Sequence, residues 1–320
     1  MSYPLYQSFI GIDIGKYEVV AAVHGSKQTY CFANTQEGWK VLHKTLKAEL
    51  KHSLVVLETT GGYELGLLLF LQKLKITVHR ANTRQVKNFI RSFGTLAKND
   101  KLDALALARY ALERQAQLEP FESSKVAFKL YEIAQRRDDL GKMLIQEKNR
   151  FQAPRANELT KASSRELIAL IEKQISLMDG HIQALIDRDS NLKERQEILQ
   201  SIPGIGPVVS RKLICFMPEL GTLNHKQVAS LAGVAPHDNE SGVLKGYRSI
   251  KGGRREVRTI LFLAAMAARN SNSRFQAFYN QLIARGKKPM VALTALMRKL
   301  IVVANAKLKE FADQKLVVET

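Results

Sequence analysis

Four acidic residues occupy positions where a soluble chain pays heavily for charge. Asp13 interrupts the apolar segment FIGIDIG, and Glu58 closes a second, SLVVLE. Asp100 and Asp103 stand three apart at the start of NDKLDALALARYA, a spacing that places both on one helix face. A carboxylate at the end of a buried strand is unfavourable alone, whereas two such strands and an acidic helix face can converge on one point. Carboxylates within a few ångströms repel one another unless a cation neutralises them. Oxygen-only donors with no His or Cys nearby select a hard ion, Mg²⁺ or Mn²⁺. The expected chemistry is metal-dependent phosphoryl transfer.

A second constellation lies in SLAGVAPHDNESGVLKGYRSIKGGRREVRTILFLAAMAA. Ser241 and Gly242 form a small-residue loop after Pro236. Six basic residues follow (Lys245, Arg248, Lys251, Arg254, Arg255 and Arg258) against a single acid, Glu256. A serine on a flexible loop beside guanidinium groups suits covalent catalysis on a phosphodiester, with the arginines holding the non-bridging oxygens. A lone turn serine is ordinarily just a solvated hydroxyl, so the basic context carries this reading. His237 reads as a loop or nucleic-acid contact. Upstream, ILQSIPGIGPVVSRKLICFM places PGIGP between two helical flanks. It resembles a helix-hairpin-helix in which Gly204 and Gly206 offer backbone N–H groups to a phosphate, with Arg211 and Lys212 close by. A plain helix–helix turn is the simpler alternative.

The elements that must position these residues fall into three textures. Residues 1–120 alternate strand and helix patterns. FIGIDIG, YEVVAAVHG and QTYCFAN are strands spaced closely enough for antiparallel pairing. Helices near 36–51, 63–74, 83–93 and 100–117 alternate with the strand ending at Glu58 and the strand ITVHRAN. This order fits a ribonuclease-H-like α/β domain, although other α/β folds share the periodicity. Residues 121–197 are almost continuous helix, broken at Gln152–Ala156 around Pro154, which favours an antiparallel hairpin or coiled coil. That hairpin serves either dimerisation or the packing of one protomer. Residues 198–320 are mostly helical, with glycine-rich turns.

The chain has 320 residues, with 49 Lys plus Arg against 30 Asp plus Glu, a formal charge of +19. Such an excess favours a polyanionic partner. It is unevenly spread: 16 basic against 10 acidic residues in 1–120, 14 against 13 in 121–197, and 19 against 7 in 198–320. The last third is therefore the strongest electrostatic candidate for nucleic acid. Two cysteines, Cys31 and Cys215, suggest neither a disulfide framework nor a zinc site and suit a reducing cytoplasm. The N-terminus lacks the pattern of a signal peptide. ILFLAAMAA is too short to span a bilayer, so no membrane role is expected.

Together, Asp13 in GIDIGK, Glu58 in VVLETTGGY, Asp100 and Asp103 in KNDKLDALALA, and Ser241 in APHDNESG resemble the DEDD transposases of the insertion-sequence family known as bridge-RNA-guided recombinases. They also resemble the related Piv-type DNA invertases. The likeness runs over nearly the whole chain and includes the block GYRSIKGGRREVRTILFLAA. It implies an α/β plus all-α architecture: a RuvC-like domain, a central coiled coil and a helical C-terminal transposase domain. It further implies carboxylates that hold Mg²⁺ or Mn²⁺, Ser241 as nucleophile, and a dimer that assembles to a tetramer on target and donor DNA. A structured noncoding bridge RNA would supply sequence choice by base pairing. The expected setting is the bacterial cytoplasm, on the nucleoid when active. The main rival is a RuvC-like junction nuclease that uses the same acids and a water nucleophile. An actin- or sugar-kinase-like ATPase would need a second Asp-containing glycine turn, and a non-catalytic DNA scaffold would have no use for four convergent acids.

Overall fold

The closely spaced N-terminal segments form antiparallel strands. They are β1 (Ser8–Ile14), β2 (Glu18–Val23) and β3 (Thr29–Ala33). Helices α1 (Gln36–Thr45) and α2 (Lys47–Leu50) lead into β4 (Ser53–Glu58). Then follow α3 (Leu65–Lys73), β5 (Thr77–Ala81), α4 (Thr83–Arg91) and α5 (Asp100–Arg114). The sheet order is β3-β2-β1-β4-β5, with β1, β4 and β5 mutually parallel. This mixed sheet is the one expected of a ribonuclease-H-like domain. The computed structural model describes residues 6–94, 99–121, 125–154, 157–238, 240–241 and 244–318.

Alternation along the strands divides the core between the two faces of the sheet. Ile10, Ile12, Ile14, Val55 and Leu57 pack with Leu42 of α1, Leu46 just after it, and Leu67, Leu68 and Leu71 of α3. On the other face Phe9, Leu54 and Val56 pack with Leu107, Tyr110 and Ala111 of α5, together with Val86 and Phe89 of α4. Here α5 comes so close to β1 that a Cβ on Gly11 would lie 2.1 Å from the Ala104 carbonyl oxygen and 2.3 Å from the Ala108 nitrogen. Only a residue without a side chain allows that contact. The helix reciprocates with small residues, Ala104, Ala108 and Ala111, all fully buried.

The chain divides into two compact units, Met1–Glu122 and Ser123–Thr320. In the second, α6 (Lys125–Phe151) and α7 (Glu158–Asp187) form the helical hairpin, interrupted where Pro154 was expected to interrupt it. Helices α8 (Ser190–Gln200), α9 (Pro207–Phe216) and α10 (His225–Leu231) follow. Four short strands come next: β6 (Pro236–His237), β7 (Glu240–Ser241), β8 (Leu244–Lys245) and β9 (Ser249–Ile250). Helices α11 (Arg255–Ala268), α12 (Arg274–Ala284) and α13 (Pro289–Val318) complete the chain.

The expected boundary between 197 and 198 falls inside this unit. Leu130, Ala134, Ile182 and Ile186 at one end of the hairpin share a single core with Leu199, Leu213, Leu261 and Leu300. Sequence periodicity identified the helices but could not reveal that the hairpin's end is also part of the C-terminal core. Helix α13 is long and apolar enough, by length and composition alone, to cross a membrane. Its apolar face instead lines the core through Leu293, Leu296, Met297, Leu300, Ile301 and Leu308. Buried Asn305 accepts from the Gly221 N–H (2.8 Å) and donates to the Leu223 carbonyl (2.6 Å).

Gly11→Ala tests the α5–β1 contact. The overlap is with backbone, which cannot swing aside, so a loss of about 3 kcal/mol is expected, as for overpacked cores. Chemical denaturation compared with wild type measures it.

Candidate carboxylate site and basic ribbon

Strand parity places Gly11 and Asp13 on the face covered by α5, together with Leu54, Val56 and Glu58 of β4. The parallel register pairs Ile12 with Leu57, so Asp13 and Glu58 leave adjacent strands at the same end of the sheet. Asn99 caps α5 by accepting from the Lys101 N–H at 2.9 Å. The first turn of α5 carries Asp100 and Asp103, where the helix end favours negative charge. The close packing of α5 on Gly11 brings that turn toward Asp13. Burial first, and then the negative charges of Asp100, Asp103 and Glu58, push the Asp13 carboxyl up from 3.8 to about 6. The four acids thus share one electrostatic neighbourhood. Among the described residues, however, no three His, Cys, Asp or Glu side chains are grouped as ligands of one ion.

Two residues outside the sequence-derived set hold the loops that leave these strands. Glu64 is fully buried. Its carboxylate accepts from the Thr60 and Gly62 N–H groups (3.1 and 3.0 Å) and from two nitrogens of Arg80, with Nε at 3.1 Å. The loop after Glu58 therefore folds around a buried ion pair. Asn34 donates through Nδ2 to the carbonyl oxygens of Gly15 (2.9 Å) and Tyr63 (3.2 Å), and accepts from Trp39 Nε1 (2.9 Å). It joins the turn after β1 to the loop after β4. An acid ahead of the apolar helix α3 and a lone arginine in ITVHRAN were the available signal for Glu64 and Arg80. Asn34 leaves no comparable trace in the sequence.

In the second unit, Ser241 lies on a short ribbon rather than a loop. Its backbone pairs with Leu244, and Glu240 pairs with Lys245. Pro236 and His237 pair with Ile250 and Ser249 at the base. Gly242 and Val243 lie outside the described residues.

The basic residues around the ribbon divide by partner. Arg254 donates to both carboxylate oxygens of Glu219 (2.7 and 2.6 Å) and to the Phe216 carbonyl (2.8 Å). Burial would raise the Glu219 carboxyl, but the hydrogen bonds and charge of Arg254 hold it below its ordinary value. Arg258 donates to the Gly252 carbonyl at 2.8 Å. These two arginines, expected as phosphate ligands, tie the segment to its own unit. Arg248 pairs with Asp238 across an exposed contact, the kind of bridge that contributes little stability and is readily exchanged. Lys251 and Arg255 are exposed.

PGIGP does connect two helices, α8 and α9. Gly204, expected to meet a phosphate, instead faces α11: a Cβ there would lie 2.6 Å from the Ala264 carbonyl, and its φ is +91°. Gly206 is exposed, with open space at its Cβ position. Lys212 pairs with Asp138, and Arg211 donates to Gln183 at 3.4 Å. Both line a small cleft with Arg137, Asp179 and Cys215. In the first unit, exposed Arg84, Lys87 and Arg91 follow one face of α4. That helix is anchored to the loop after Glu58 by Thr83 Oγ1, which donates to the Thr59 carbonyl at 2.9 Å.

The raised Asp13 carboxyl has a measurable consequence. Between about pH 4 and pH 6 the folded chain keeps a proton there that the unfolded chain has released, so stability falls as pH rises through this window. In EDTA at pH 7, Asp13→Asn is expected to melt a few degrees above wild type. The difference should shrink as pH falls from 6 toward 4. Added Mg²⁺ should raise the wild-type midpoint while leaving that of the variant nearly unchanged. Thermal unfolding followed by circular dichroism reads both effects.

A DEDD family of IS110 type, described as Transposase, matches residues 10–154. The family described as Transposase IS116/IS110/IS902 matches residues 196–280. The pilin gene-inverting protein of Moraxella bovis is 27% identical over 314 residues, spanning 95% of this chain and 96% of that protein. Its counterpart from Moraxella lacunata has the same identity and coverage. The uncharacterized 43.6 kDa protein of insertion element IS110 from Streptomyces coelicolor is 29% identical over 147 residues, covering 45% of this chain and 35% of that protein. With residues 10–154 and 196–280 each matched by a transposase family of IS110 type, the chain belongs to the IS110 transposase family.

Proposed function

We propose that this IS110-family recombinase cuts and rejoins target and donor DNA, with Asp13, Glu58, Asp100 and Asp103 holding Mg²⁺ or Mn²⁺ and Ser241 as the nucleophile. The carrying observation is the Asp13 carboxyl, raised to about 6 by burial and by three acids from a second strand and a helix. Acids kept together at such a cost, all with oxygen donors, fit a hard divalent ion. When bound, that ion supplies charge stabilisation to a reacting phosphate.

The rest falls to the chain's own groups. The Ser241 hydroxyl attacks phosphorus, one phosphodiester P–O bond breaks, and a phosphoserine ester forms. The serine proton is lost as the leaving oxygen gains one, so a free DNA hydroxyl is released with no net change in protons. A hydroxyl of the exchanged strand then attacks the ester and frees the serine. Each step makes and breaks one P–O bond, so no ATP is required. Arg255, Lys251 and an Arg248 released from Asp238 would meet phosphates near the ribbon, whereas the side chain of Lys245 lies outside the described residues. Gly206 would do so at the start of α9, and Arg84, Lys87 and Arg91 would do so beside the carboxylates. These contacts neutralise backbone charge without reading sequence.

Sequence choice is assigned to a structured bridge RNA, by resemblance to the family. Inversion of DNA by the pilin gene-inverting proteins and the +19 charge support a nucleic-acid rearranging activity. Self-association is assigned to the α6–α7 hairpin, which exposes Leu159 (84%), Ile145 (63%) and Leu170 (54%) to solvent.

With a nicked or mismatched junction that blocks resealing, a protein–DNA adduct should survive denaturation, with phosphate mapped by peptide analysis to Ser241. Ser241→Ala should abolish the adduct and lower recombination by about three orders of magnitude or more, while DNA binding persists. Adduct-free recombination in Ser241→Ala would instead establish the water-using junction nuclease. For the hairpin, a Leu159→Glu and Leu170→Glu double variant should retain wild-type helicity but show a smaller mass on DNA by light scattering.

A further inference from the structure

Two exposed tyrosines stand on the loops that leave the carboxylate-bearing strands. Tyr17, in the turn after β1, is 77% exposed, and Tyr63, in the loop after β4, is 47% exposed. Such rings are normally withdrawn from water, and each of these is displayed by a backbone that is firmly held. The Gly15 N–H donates to the Glu18 carbonyl (2.8 Å) and the Asn34 N–H to the Tyr17 carbonyl (2.8 Å). The Tyr63 N–H donates to the Thr60 carbonyl (3.1 Å), within the loop organised by buried Glu64. The Asn34 side chain then bonds the carbonyls of both Gly15 and Tyr63. One residue thus joins the backbones that present the two rings. Among the described residues, neither ring stacks on another aromatic ring. Lys16 Nζ stands over one face of the Tyr17 ring, 5.0 Å from its centre, a cation–π contact that still leaves the residue 77% exposed.

We infer that Tyr17 and Tyr63 form a stacking site for a DNA base next to the phosphate that is cut, with Lys16 serving the phosphate of the same nucleotide. The inference rests on the recombinase reading and adds the contact that places the strand. A recombinase that exchanges strands must hold bases outside their duplex while ends are swapped. Aromatic faces accept any base, so they hold an unpaired strand without reading its sequence. Because the rings sit on the loops after Asp13 and Glu58, a base held there brings its phosphate to the sheet end where the four acids converge. Rings fixed in advance by Asn34 and Glu64 would lose little freedom on binding.

The test uses the full-length protein with Mg²⁺ and an oligodeoxythymidylate carrying one 2-aminopurine, whose fluorescence is quenched on stacking. Wild type should quench the probe. Tyr17→Ala and Tyr63→Ala should each lose most of the quenching and bind on the order of tenfold or more weakly. Tyr17→Phe and Tyr63→Phe, which keep the ring and lose the hydroxyl, should remain within about twofold of wild type. Unfolding midpoints of all four variants should match wild type, since both side chains are exposed. Unchanged quenching in the alanine variants would overturn the inference, as would equal losses in the phenylalanine variants, which would point to the hydroxyls. A response confined to the corresponding RNA probe would also overturn it, as would a change in oligomeric mass in place of a change in quenching. Failure of wild type to bind any DNA would remove the recombinase reading itself; wild-type binding with unaffected tyrosine variants would remove only the stacking site.

Discussion

The N-terminal unit is organised around the contact of α5 with β1 at Gly11. A helix backbone can approach a strand that closely only where the strand has no side chain and the helix presents alanines. The contact determines how far the start of α5 reaches across the sheet, and so where Asp100 and Asp103 stand relative to Asp13. Two residues along the strand from Gly11, on the same face, Asp13 comes under the potential of both. The close packing and the unfavourable convergence of charge are therefore one arrangement: backbone contact overcomes the repulsion that would otherwise separate the acids. The same helix buries Leu107 and Tyr110 against Phe9, Leu54 and Val56, so apolar burial along its length offsets the electrostatic cost at its tip.

A second constraint acts on the loops. Glu58 ends its strand, and the segment after it has no apolar core to hold it. The buried Glu64 carboxylate fills that role by gathering two backbone N–H groups and Arg80. Removing one partner from such a pair leaves an uncompensated buried charge, so the loop is committed to this conformation. Asn34 extends the same rigidity to the turn after Asp13. Charged and polar groups of the loops thus keep the strand ends that carry Asp13 and Glu58 in register with one another.

In the C-terminal unit, the basic residues that look alike in sequence have unlike roles. Arg254 and Arg258 are bound to groups of their own unit and close the segment before α11 onto it. Arg255, between them, turns to solvent as the first residue of that helix. The ribbon bearing Ser241 is thereby supported at its base, while charge that could meet a polyanion remains at the surface. A guanidinium group with five donors is suited to either task, and only its surroundings decide which one it takes.

Much of this was determined locally. Strand alternation placed Gly11 and Asp13 on one face and Ile10, Ile12 and Ile14 on the other. The spacing of Asp100 and Asp103, the break at Pro154 and the order of strands and helices also follow from neighbours a few residues apart. The oxygen-only character of the acidic set is a matter of residue type. The tertiary structure decided what depends on distant partners. The parallel register that sets Asp13 beside Glu58 joins segments about forty-five residues apart. Arg254 meets Glu219, Lys212 meets Asp138, and Gly204 meets α11. Glu64 finds Arg80 of β5 across the intervening helix α3. Periodicity reports which side of an element faces inward, because burial recurs with the pitch of the backbone. It carries no record of which charge lies opposite, because a long side chain pairs with whatever the completed fold brings within reach.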